Sequence, residues 1–136
     1  MEIHTIGVCG AGTMGRGIAL TLAQADFSTL LFDLNPDILA NARAQHEREL
    51  EGLVQKGRLT ADKKKKILAL IQYTNELENC LAEFFIEAIV EKIIPKVALL
   101  NQLAELNHGD CIFASNTSSL SITEIAKQVL HPERVI

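Results

Sequence analysis

The chain has 136 residues, 48% of them hydrophobic and 22% charged, with a net charge of −4. That composition excludes a disordered chain and suits one domain with a proper core, and the acidic balance argues against nucleic acid as a partner. No run approaches the roughly 18–20 apolar residues of a membrane helix, and Met1-Glu2-Ile3-His4 lacks the basic and apolar regions of a signal peptide.

Thr5 to Cys9 reads as a short apolar strand. It runs into Gly10-Ala11-Gly12-Thr13-Met14-Gly15, a G-x-G-x-x-G turn, and a helix is predicted over Thr13 to Ala25. A second apolar strand, Ser28 to Asp33, closes a βαβ unit and ends on an acid 18 residues after Gly15. Asn35-Pro36 opens a long helix over Asp37 to Lys56, with Ile38, Leu39, Ala42, Leu50, Leu53 and Val54 on an apolar stripe. Gly57 ends it. Thr60 caps a further helix from Ala61 through Ile71, so that a helical pair projects from the sheet in place of a simple crossover. A short strand at Gln72 to Thr74 and a helical turn at Leu77 to Leu81 follow. Then come a strand at Phe84 to Val90, a helix opened by Pro95, and a turn at Asn107-His108-Gly109-Asp110. Cys111 to Ala114 is the next strand, and it leads into Ser115-Asn116-Thr117-Ser118-Ser119. Ser121-Ile122-Thr123-Glu124 forms a capping box, and Arg134-Val135-Ile136 reads as the start of a sixth strand.

Strands alternating with helices predict an α/β fold, a doubly wound parallel sheet of Rossmann type carrying the helical pair between its second and third strands. Ligands of such sheets bind beyond the carboxyl ends of the strands. The segments leaving those ends are Gly10–Gly15, Asp33–Pro36, Val90–Lys96 and Ser115–Ser119. Gly10 permits the tight turn, Gly12 lets backbone N–H groups approach a pyrophosphate, and Gly15 allows close helix packing. Asp33 would accept hydrogen bonds from the adenine ribose and repel a 2′-phosphate, which favours NAD over NADP; the alternative is a solvated aspartate capping the next turn. Lys96 is an odd cation for the first turn of a helix, which suggests an anionic or polyhydroxyl ligand, against ordinary surface charge. Asn116, Thr117, Ser118 and Ser119 could bind a substrate oxygen or simply satisfy nearby backbone. The run Lys63–Lys66, with Lys56 and Arg58, makes the helical pair basic. Cys9, Cys80 and Cys111 are an odd, widely spaced set that reads as buried thiols of a cytoplasmic protein, with no disulfide and no metal site. None of the four histidines stands in a base-plus-acid arrangement.

Together these features resemble the NAD-binding domain of the 3-hydroxyacyl-CoA dehydrogenases, including bacterial 3-hydroxybutyryl-CoA dehydrogenases. The likeness rests on Gly10 to Gly15 with Gly17-Ile18-Ala19 behind it and on Asp33. It continues with Glu87-Ala88-Ile89-Val90-Glu91, Lys96, and Ala114 to Leu120, and it spans essentially the whole chain. The resemblance implies an enzyme of fatty-acid or butanoate metabolism that interconverts 3-hydroxyacyl-CoA and 3-oxoacyl-CoA with NAD. It implies that Gly10, Ala11, Gly12, Thr13, Met14 and Gly15 hold the pyrophosphate and Asp33 the adenine ribose. Glu91 and Lys96 would serve the nicotinamide ribose. Ser118, with Asn116 beside it, would bind the reacting oxygen close to the nicotinamide, and Lys56 the CoA portion. Residues 1–136 would then be the NAD-binding domain, with the catalytic His/Glu dyad and a dimer-forming helical domain beyond Ile136, so that the chain alone binds NAD with little turnover. Family members often have a glycine after the first helix, where this chain has Asp26. Two other readings are a hydroxyacid dehydrogenase of 6-phosphogluconate type and a non-catalytic, crystallin-like NAD-binding module.

Overall fold

A computed structural model describes all 136 residues. Five parallel strands are arranged in the order β3-β2-β1-β4-β5: β1 (Thr5–Cys9), β2 (Ser28–Phe32), β3 (Ile71–Thr74), β4 (Phe84–Glu87) and β5 (Ile112–Ser115). The chain leaves β1 toward β2 on one side and later returns to place β4 on the other. The switch point therefore lies at the carboxyl ends of β1 and β4. Four helices connect the strands, α1 (Thr13–Gln24), α2 (Pro36–Gln55), α3 (Ala61–Ala69) and α4 (Ile93–Leu106), and α5 (Ile122–Ala126) follows β5.

Two apolar clusters cover the two faces of the sheet, as a buried parallel sheet requires. One joins Phe32, Phe85, Phe113 and Cys111 to Leu99, Leu100 and Leu103 of α4. The other joins Val8 and Leu31 to Ala19, Leu20 and Ala23 of α1, and continues into Leu39, Ala42, Leu50 and Ile67. The last four belong to α2 and α3. The helical pair is therefore docked along this face as well as extended from it, which corrects the expectation of a simple projection. His46 completes the inner stripe of α2. Its Nδ1 lies 2.6 Å from the Tyr73 hydroxyl and its Nε2 lies 2.7 Å from the Arg16 carbonyl. A sealed imidazole with both ring nitrogens engaged ties α2 to β3 and α1 at once.

Three helices end in the same way, on a residue with positive φ whose neighbours satisfy the last carbonyls. Gly57 serves α2, Asp26 serves α1 and His108 serves α4. Asp26 takes this place without being glycine. Its left-handed conformation is compatible with its short polar side chain, and its carboxylate pairs with Lys63 at 2.9 Å. Element edges differ from expectation in small ways. Helix α3 stops at Ala69 because Ile71 already pairs with Thr29, and β4 stops at Glu87, freeing Ala88–Val90 to cross the glycine turn. Helix α4 starts at Ile93, two residues before Pro95, within the turn where a missing N–H is tolerated. At the far edge Val135 bridges Phe113 in parallel, and the Ile136 N–H donates to the Phe113 carbonyl at 2.7 Å.

Candidate functional site

The turn after β1 uses its three glycines differently. Gly10 has φ +101°, and a Cβ there would sit 2.5 Å from the Ala88 carbonyl oxygen. A Cβ on Gly15 would overlap the Gly10 carbonyl oxygen, with the Val8 side chain 3.5 Å away. Both positions are closed by the protein itself. At Gly12 a Cβ would meet nothing within 4 Å. Gly12 is the N-cap of α1 and gives no side-chain cap; the N–H groups of Gly12, Thr13, Met14 and Gly15 find no acceptor within the chain. The open space in front of Gly12 and a ring of free donors at a helix N-terminus are the chemistry of an anion cradle.

Asp33 stands at the end of β2, facing this turn. One carboxylate oxygen accepts from the Ala11 N–H at 2.9 Å and the other from the Asn35 N–H at 2.9 Å. A carboxylate offers about four acceptor positions, so two remain for a pair of hydroxyls. A cleft of about 610 Å³ opens beside it, bordered by Gly12, Asp33, Leu34, Ile38, Val90 and Gln102. Leu34 and Val90 are exposed there, so the apolar walls are available to a planar ring.

Toward β5 the site becomes polar and charged. Glu87 and Lys96 have side chains only 1% exposed, and they form an ion pair. The Lys96 ammonium also donates to the second Glu87 oxygen at 2.7 Å and pairs with Glu91 at 3.0 Å. The Ser115 hydroxyl donates to Glu87 at 2.8 Å. Glu91, 43% exposed, accepts at its outer oxygen from the hydroxyls of Thr117 at 2.7 Å and Ser119 at 2.8 Å. These hydroxyls and the Lys96 ammonium hold the Glu91 carboxyl down at about 2. Ser118, between the two bound residues, is exposed and its hydroxyl bonds to nothing in the chain; Asn116 is exposed beside it.

Residues 5–136 match the model of the 3-hydroxyacyl-CoA dehydrogenase NAD-binding domain. The chain belongs to this family. NAD is accordingly the cofactor of this hydroxyacyl-CoA dehydrogenase domain, and the reading as a 6-phosphogluconate-type domain gives way to it. Among relatives, a probable 3-hydroxybutyryl-CoA dehydrogenase of Bacillus subtilis (strain 168) is 39% identical over 137 residues, covering 100% of this chain and 48% of that protein. A 3-hydroxyadipyl-CoA dehydrogenase of Escherichia coli (strain K12) is 38% identical over 136 residues, covering 99% of this chain and 29% of that protein. The crystal structure of 3-hydroxybutyryl-CoA dehydrogenase from Escherichia coli K12 superposes with a TM-score of 0.94 at 35% identity. The match covers 99% of this chain and 29% of that one. The chain thus spans about half the length, or less, of the relatives it matches.

Within this domain, the glycine turn and Asp33 meet at one end of the cleft, while Glu91, Lys96 and the Ser118 loop meet at the carboxyl ends of β4 and β5. Lys56 stands apart: it is exposed at the end of α2, about 30 Å along that helix from Pro36. Lys96 is not surface charge but a sealed cation. Glu87, its inner partner, carries no sequence-based role of its own, although an acid inside the apolar stretch Phe84–Val90 signals that a nearby cation must meet it.

Proposed function

We propose that this chain holds NAD for hydride transfer between 3-hydroxyacyl-CoA and 3-oxoacyl-CoA. The observation that carries the reading is the Ser118 loop, in which the exposed Ser118 hydroxyl is free while its neighbours are fastened to Glu91. NAD supplies the nicotinamide carbon that accepts or returns the hydride. The free N–H groups of Gly12 to Gly15 bind the diphosphate, and the two remaining acceptor positions of Asp33 take the adenine ribose hydroxyls. A phosphate on the 2′ position would meet this carboxylate, so NAD is preferred over NADP.

Glu91 has one oxygen, shared with Lys96, that retains acceptor capacity for a hydroxyl of the nicotinamide ribose. Ser118 donates to the 3-oxygen of the substrate and orients it, with Asn116 next to it. Such orientation is the chief work a hydride-transfer site must do. Lys56 and the basic helical pair would meet the phosphates of CoA. His46 does not serve as base toward Ser118, because both its ring nitrogens are engaged, by the Tyr73 hydroxyl and the Arg16 carbonyl. By the resemblance, the general base, the acyl-binding part and the homodimer contacts are contributed by residues after 136.

The test is turnover of acetoacetyl-CoA with NADH by the full-length gene product, against small hydroxy acids with NAD. Acetoacetyl-CoA reduction that Ser118→Ala lowers at least about tenfold, with NADH affinity kept, supports the proposal. Binding of NADH with no turnover of any acyl-CoA would favour the crystallin-like module instead.

A further inference from the structure

A lysine sealed from water at the first turn of α4 stands against three penalties. Its charge is desolvated, the helix dipole opposes it, and a long side chain is frozen. A buried ion pair seldom repays these in stability alone, so its geometry is the informative property. Here the geometry is a relay. The Ser115 hydroxyl donates to Glu87, Glu87 accepts from Lys96, Lys96 meets Glu91, and Glu91 accepts from Thr117 and Ser119. The relay starts and ends on one segment, residues 115–119. Its backbone is held at one point as well, by the Asn116 N–H donating to the Glu87 carbonyl at 2.8 Å, and Leu120 follows with its N–H on the Thr117 hydroxyl at 3.0 Å.

We propose that Glu87 is a positioning residue for the Ser118 loop: it fixes the Lys96 ammonium so that Glu91 is presented to Thr117 and Ser119, which leaves Ser118 as the loop's free hydroxyl. Glu87 itself reaches neither cofactor nor substrate, because its side chain is sealed beneath Lys96 and Ser115. Removing its charge releases Lys96 from below. The ammonium then has only Glu91 as an anionic partner and draws that carboxylate away from the two hydroxyls. The proposal rests on the reading of Ser118 as the substrate-facing group only for its effect on turnover. The effect on the loop is independent of what Ser118 binds.

The experiment is amide hydrogen exchange on the 136-residue chain, with turnover measured on the full-length gene product, for Glu87→Gln and for Glu87→Gln/Lys96→Met. The double variant removes both buried charges while keeping their shape, and so it addresses the loop even if the single variant fails to fold. The Leu120 amide should exchange about tenfold faster in either variant, while the Phe113 and Ala114 amides of β5 keep their protection. In Glu87→Gln, kcat for acetoacetyl-CoA should fall about tenfold with KM for NADH within about threefold. Uniform loosening of β5 together with the loop would mark Glu87 as a general structural support and overturn the proposal. A folded double variant whose Leu120 exchange and turnover match the parent would overturn it too. Loop loosening with turnover unchanged would instead leave the positioning claim standing and remove the substrate role of Ser118.

Discussion

Replacing Gly12 or Gly15 by alanine should separate the glycine that serves the ligand from the glycine that serves the fold. At Gly15 the new methyl group overlaps the Gly10 carbonyl oxygen, with Val8 already in van der Waals contact at 3.5 Å. Helix α1 would have to retreat by about 1.5 Å to restore ordinary contact. Overpacking of a backbone atom by this amount costs about 3 kcal/mol, and the better helix propensity of alanine returns about 1 kcal/mol. The net loss of about 2 kcal/mol lowers Tm by about 8 °C in a domain of this size. At Gly12 the backbone has φ −69° and the methyl meets no protein atom, so only the weaker N-cap preference of alanine is felt, about 0.5 kcal/mol or 2 °C. The same methyl occupies the approach to the free N–H groups. Losing one charge-assisted bond to a phosphate is worth about 1.5–3 kcal/mol, a factor of about 10–150 in the NADH Kd. Thermal melts without cofactor and fluorescence titration with NADH measure both quantities on the same samples. Gly12 does not serve the ligand as described if Gly12→Ala destabilises as much as Gly15→Ala, or if it binds NADH like the parent.

Three further outcomes follow from particular groups. Asp33→Ala should raise the NADH Kd about 10–100-fold and narrow the preference over NADPH, since it removes both the ribose acceptor and the repulsion of a 2′-phosphate; parallel titrations with the two cofactors read both. The loop latch should survive mild acid. Glu91 sits at about 2, below the ordinary carboxylate value, so its contribution is fully present above about pH 4.5 and disappears as pH falls toward 2, a window that Leu120 exchange measured at stepped pH follows. The thiols should be silent in the folded chain. Burial raises Cys9, pushes Cys80 up to about 12 and Cys111 up to about 11, so a thiol reagent at pH 8 should label none of the three quickly until denaturant is added.

His46 offers a different pH test. Burial holds its pKa below the ordinary histidine value, so the folded chain binds fewer protons there than the unfolded chain. Stability should therefore fall as pH drops below about 6.5, through the window down to the lowered value. Urea unfolding at pH 7.5 and 5.5 should show this loss, and His46→Gln should show less of it.

Much of the sheet was readable because most strands are short apolar stretches and three of the helices have a cap that the backbone uses: Asn35, Thr60 and Ser121 all accept from N–H groups of the first turn. Local signals carry local structure. What they miss is pairing across elements. His46 falls on the inner stripe with Leu39, Ala42 and Leu50, yet a lone histidine in a polar stretch gives no hint of Tyr73, 27 residues away, or of the Arg16 carbonyl. The same limit hides the Glu87–Lys96 pair. Lys96 is conspicuous as a cation at a helix start, but which carboxylate meets it depends on β4 ending where α4 packs. The docking of α2 and α3 was hidden for a related reason: an amphipathic stripe says that a face is buried, and only the topology says against what.

The proposed function requires the turn after β1 to grip the cofactor diphosphate through its main chain while Asp33 reads the neighbouring sugar. Calorimetric titration of NADH into the parent chain, Gly12→Ala and Asp33→Ala tests it most directly. The parent should show one binding event per chain, weakened at least about tenfold in each variant without loss of the folded melt. No heat with the parent, or unchanged affinity in both variants, would contradict it.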